Sequence, residues 1–91
     1  MASRILDFRR KVALGFYELT GHAIDEMQQD GFTIRDIKAA IYSGRIVATQ
    51  RHGHGRTKHV VRGRSEDQRD ITLVCRLGAS GRLRVITVFE G

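Results

Sequence analysis

A chain of 91 residues, 41% hydrophobic and 29% charged, can build one domain with one small core, burying about 60% of the surface its unfolded form exposes. No apolar run approaches the roughly 20 residues a bilayer span needs. The opening MASRILDFRRKVALG carries acidic Asp7 and spaces its apolar residues helically rather than in the block of a targeting signal, so the expected location is the cytoplasm, with no membrane partner. The net charge of +6 is uneven: residues 51 to 69 hold six cations (Arg51, Arg56, Lys58, Arg62, Arg64, Arg69) against two anions (Glu66, Asp67), a surplus suited to polyphosphate or an acidic protein.

In chain order, Ser3 is expected to cap a first helix in which Ile5, Phe8 and Val12 form a narrow apolar stripe, with Arg9, Arg10 and Lys11 outside and Gly15 as the stop. Phe16 to Leu19 is short, aromatic and β-prone, the mark of a brief edge strand. Thr20 caps a second helix carrying Ala23, Ile24 and Met27 until Gly31, and Thr33 caps a third whose stripe is Ile34, Ile37 and Ile41 until Gly44. The second helix also gathers His22, Asp25, Glu26 and Gln29 within a turn of one another. An imidazole at a helix N-terminus beside carboxylates suits proton transfer, because the dipole there disfavours the imidazolium. The competing reading of the same residues is a solvated helix face.

Four strands are expected to follow. The first begins at Ile46–Thr49, and RHGHGR, 51 to 56, is a glycine-rich connection. His52, His54 and His59 invite comparison with a zinc site, but no fourth ligand is spaced for tetrahedral closure, and no metal or other cofactor is expected. Residues 57 to 63 place Lys58, Val60 and Arg62 on one face and His59 and Val61 on the other; SEDQRD is a turn. Ile71, Leu73, Cys75 and Leu77 alternate inward against Thr72, Val74 and Arg76. Cys75, the single cysteine, cannot form an internal disulfide and reads as a buried structural thiol. GASG is a hairpin loop, and the last strand sets Leu83, Val85, Thr87 and Phe89 on one face and Arg84, Ile86 and Val88 on the other. The expected fold is a single α+β domain, 1–91, with the helices on one face of a roughly four-stranded antiparallel sheet. Arg62, Arg76 and Arg84 lie on the uncovered face.

The pattern LTGHAIDEM…GFTIRDIKAAIYSG, with a VVRG strand and a terminal LRVITVFE, resembles the small bacterial and archaeal domain-of-unknown-function family 4258 (DUF4258). The likeness runs over about residues 17 to 90 and leaves the N-terminal helix, 1–15, outside it. His22 matches the family histidine, Gly44 the helix-ending glycine, Arg62-Gly63 the end of the middle strand and Thr87 the threonine of the last strand. Gln28-Gln29-Asp30 departs from the basic residue many members carry there. The resemblance implies a fold like that of the RelE and MqsR toxins, which are metal-independent endoribonucleases. It also implies an antitoxin partner, in the manner of zinc-finger proteins of the MqsA type. Cleavage of mRNA would then use His22 for proton transfer, Arg62, Arg76 and Arg84 on the phosphate and Thr87 beside them, with Arg51, Arg56, Lys58, Arg62 and Arg64 binding the RNA backbone. The alternative expectation is a non-catalytic module binding RNA or an acidic protein through the same basic sheet.

Overall fold

The computed structural model describes residues 4–52 and 56–91. The Ser3 cap, the whole of Gly53 to Gly55 including His54, and the side chains of His52 and Arg56 lie outside the described residues. Three helices, α1 (Arg4–Ala13), α2 (Gly21–Asp30) and α3 (Ile34–Ser43), and five strands, β1 (Tyr17–Leu19), β2 (Arg45–His52), β3 (Arg56–Arg64), β4 (Asp70–Leu77) and β5 (Leu83–Glu90), follow one another as α1-β1-α2-α3-β2-β3-β4-β5.

Local chemistry accounts for the helix ends. Thr20 Oγ1 accepts from the Ala23 N–H at 3.1 Å, and Gly31, at φ 71°, ends α2 in a left-handed turn that most side chains resist. Thr33 and Asp36 form a reciprocal capping box at the start of α3. One core joins the two layers: Phe8 and Val12 from α1, Ala23 and Met27 from α2, and Ile37, Ala40 and Ile41 from α3 meet Val61, Ile71, Leu73, Cys75, Leu83, Val85 and Val88 of the sheet. Burial of Cys75 pushes its thiol up to about 12, so it stays protonated and inert. Ile24 and Ile34, assigned inward by periodicity, are instead largely exposed, because each helix buries only a narrow stripe.

Two features of the sheet depart from expectation. It has five strands rather than four and is mixed: in the order β1-β5-β4-β3-β2, β1 pairs parallel to β5, Tyr17 opposite Leu83 and Leu19 opposite Val85. The alternation of β5 also breaks. Val74 faces Thr87 while the next residue, Cys75, faces Val85, so Ile86 is an extra residue in a β-bulge. Beyond it the faces exchange: Val88 is fully buried, and Thr87 and Phe89 join Arg84 on the side away from the helices, not Leu83 and Val85 as the simple alternation implied.

Arginines placed outside by sequence also hold the frame. Arg9 donates to the Ile41 and Gly44 carbonyls at 3.1 and 3.0 Å, tying α1 to the end of α3. Arg69 donates to the Asp30 and Gly31 carbonyls at 2.8 and 3.1 Å and lies over the Phe32 ring, so this member of the basic stretch closes the end of α2.

Candidate nucleic-acid interface

The side of the sheet without helices is built by period-two alternation. In β3, Lys58, Val60 and Arg62 face away from the helices while His59 and Val61 face them; in β4 the outward set is Thr72, Val74 and Arg76. Cross-strand register sets Arg45 opposite Arg62, Val60 opposite Val74 and Arg76 opposite Arg84. The result is a half-buried Val60–Val74 centre flanked by basic side chains, with Phe89, 43% exposed, opposite Thr72. Phe89 reaches this face only through the bulge at Ile86, which is why the sequence did not place an aromatic ring there.

The cations are not equally available. Arg84 Nε sits 2.9 Å from Glu18 Oε1, and Arg64 lies 3.7 Å from Asp70. Among the described residues Arg45, Lys58, Arg62 and Arg76 form no ion pair, so their charge faces solvent uncompensated. Two shallow clefts open on this side. One of about 460 Å³ lies between Ser43, Arg45, Arg62, Arg64 and Asp70; the other, about 500 Å³, lies between Glu18, Arg76, Arg84 and the Gly78–Ser80 loop. Guanidinium groups in such positions can take phosphate oxygens in pairs.

His22 stands apart from these rows, on α2 beside the free edge of β5. Its Nε2 is 3.1 Å from Glu26 Oε1 and its side chain is 66% exposed. Of the three residues grouped with it by sequence, Glu26 is the one in bonding contact; Asp25 and Gln29 are exposed. The same Glu26 oxygen accepts the Val88 N–H at 3.1 Å, so it also fastens the helix to the sheet. Among the described residues no hydrogen bond or ion pair joins His22 to Arg62, Arg76, Arg84 or Thr87.

His59 was seen in the sequence only as a member of a histidine trio. It is buried on the helix side, its Nδ1 3.2 Å from Thr49 Oγ1 and its ring edge-on to Phe8 at 5.4 Å between centroids. Burial first, and the Arg4 charge second, hold its pKa below the usual histidine value and favour the neutral imidazole. Arg51 shares this side through its register with Thr57, away from the Lys58 and Arg62 face with which its sequence neighbourhood had grouped it. Among the described residues no cluster of three metal-ligating side chains occurs.

The model of a family described as a domain of unknown function, DUF4258, matches residues 19–90. It leaves α1 outside, as the motif resemblance had, and starts at the last residue of β1 where that resemblance took in the whole strand. No curated protein and no solved structure matches the chain.

Proposed function

This chain belongs to the DUF4258 family over residues 19–90, and we propose that it binds RNA on the helix-free face of its sheet, acting as the endoribonuclease toxin of a toxin–antitoxin pair. The observation that carries the binding is the row of cations, Arg45, Lys58, Arg62 and Arg76, without an ion-pair partner among the described residues, across three adjacent strands of an otherwise uncovered face. Such a surface gains affinity for polyanions by releasing their counterions, whatever their sequence. Phe89 adds one ring for a base to stack on.

RNA crossing from the arginine rows to the β5 edge meets His22, an exposed imidazole able to take the 2′-hydroxyl proton while guanidinium groups hold the phosphate oxygens. Thr87, past the bulge but on the same face of the sheet as Arg84, offers a hydroxyl there. Helices on one face and a basic sheet on the other support a likeness to the RelE and MqsR toxins. An antitoxin, of the MqsA zinc-finger kind or another acidic protein, would compete with phosphate for the same face.

A second reading has its own observation. Because Glu26 already serves the Val88 N–H, the His22–Glu26 pair has a structural duty, which favours a non-catalytic RNA-binding module. Expression of the wild type and His22→Ala with a labelled RNA substrate decides between them. Loss of cleavage with unchanged melting and unchanged RNA affinity supports the toxin; RNA binding without cleavage by the wild type leaves the binding module.

A further inference from the structure

On the helix side, sharing Arg45 with the arginine rows, a cleft of about 710 Å³ lies between the start of α1 and the β2–β3 hairpin. Its polar lining is Arg4, Arg45, Thr49, Arg51, Thr57 and His59, and its apolar walls are Ile5, Ile46 and Leu77; among the described residues no carboxylate lines it. The ladder builds this arrangement: Thr49 opposes His59 and Arg51 opposes Thr57, two successive rungs of the β2–β3 pair on one face. Among the described residues none of the three arginines forms an ion pair, so the cleft holds three uncompensated charges. His59 is only 6% exposed, and its ring is fixed by the Thr49 hydroxyl on Nδ1 and by the Phe8 ring, which leaves Nε2 for a ligand.

We propose that this cleft is a nucleotide-binding site, in which Arg4, Arg45 and Arg51 hold a phosphate group and the His59 imidazole hydrogen-bonds a sugar hydroxyl against the Ile5, Ile46 and Leu77 walls. The volume falls within the roughly 300–1,000 Å³ of small-ligand pockets, and its few polar groups on an apolar wall fit that class. Forked guanidinium groups match phosphate oxygens, and a neutral ring nitrogen held in place by a neighbour gives the site direction. Arg4 and Ile5 come from α1, outside the residues matched by the family, so the site belongs to this chain's added helix as much as to its shared core. The inference goes beyond RNA binding by the sheet and does not depend on it, although Arg45 lines clefts on both sides.

The test is titration of the ¹⁵N-labelled protein with adenosine monophosphate, orthophosphate and adenosine, reading the His59 ring nitrogens. Saturable shifts with the monophosphate, weaker ones with orthophosphate and none with adenosine are expected. Exposed Arg51→Ala, which does not disturb the core, should raise the Kd for the monophosphate about tenfold, the scale of one lost charged hydrogen bond. Arg35→Ala, on the solvent side of α3, removes the same charge and should leave that Kd unchanged. The inference is overturned if millimolar monophosphate leaves the His59 ring unshifted, if orthophosphate binds as tightly as the nucleotide, or if Arg51→Ala and Arg35→Ala weaken binding equally. Because the readout sits on His59, loss of RNA binding by the sheet face is seen separately and leaves this result intact.

Discussion

Asp36 is 7% exposed and serves three donors. Its Oδ2 accepts from the Thr33 N–H at 2.9 Å and the Thr33 hydroxyl at 3.2 Å, and its Oδ1 accepts from the Glu66 N–H at 3.0 Å, so one carboxylate caps α3 and anchors the β3–β4 turn. Asp36→Asn turns one of those acceptors into a donor facing N–H groups, and should cost about 1–3 kcal/mol in denaturant unfolding. At Gly63 the reason for glycine is contact rather than torsion: a Cβ there would collide with the Ala40 carbonyl where α3 crosses β3. Gly63→Ala is expected to cost about 1–3 kcal/mol as an overpacking strain, read as a lowered melting temperature. His59 gives a pH dependence. Since its folded pKa is depressed, the unfolded chain takes up the proton first as pH falls below 6.5, so the stability present above 6.5 is lost as pH falls toward the folded value. The Arg4 charge acts in the same direction as burial, and the other ionisable side chains among the described residues lining that cleft, Arg45 and Arg51, are also cations. Unfolding free energies of wild type and His59→Gln, compared between about pH 5 and about pH 8, on either side of the ordinary histidine value of about 6.5, should converge at the acid end.

At the scale of elements, α2 acts as a substitute strand. β1 pairs with β5 only as far as Val85. Past that point the Thr20 hydroxyl donates to the bulged Ile86 carbonyl at 3.1 Å, Glu26 accepts the Val88 N–H and Asp30 accepts the Glu90 N–H at 3.2 Å. Alternate backbone groups of an open edge are thus satisfied by side chains of a helix, which also blunts that edge against pairing with another chain. Glu26→Ala should leave the Val88 N–H without its acceptor, costing about 1–3 kcal/mol. Hydrogen exchange should speed up most at Val88, and less at the β3 and β4 amides. Exchange that stays slow at Val88 would deny the helix this role.

For the whole molecule, the helices cover one face of the sheet and leave the other to cations and a valine centre. RNA affinity should fall linearly in a log–log plot against salt, and Arg62→Ala or Arg76→Ala should each reduce the slope by about 0.7, the single-strand value per phosphate contact. A slope that does not change in either variant would place the RNA elsewhere. Among the described residues no helix is long and apolar enough to cross a membrane.

Features that rest on near neighbours can be read from residue spacing alone. The Thr20 and Thr33 caps, the Gly31 stop, the order of helices and strands and the inward set Ile71, Leu73 and Cys75 all follow from spacings within one element. The Arg62, Arg76 and Arg84 face was legible for the same reason, since two of its strands keep an unbroken period of two. The remaining features depend on partners far along the chain, which spacing within one element does not specify. The parallel docking of β1, three residues long, is fixed by a strand some 66 residues away. The Ile86 bulge, which sends Thr87 and Phe89 outward and Val88 inward, is set by the register of β4 and by Thr20. Arg9 and Arg69 look like solvated charges until the carbonyls of α3 and α2 arrive beside them. His59 owes its burial and depressed pKa to Phe8 and Arg4, on a helix more than 45 residues upstream that periodicity could propose but not dock.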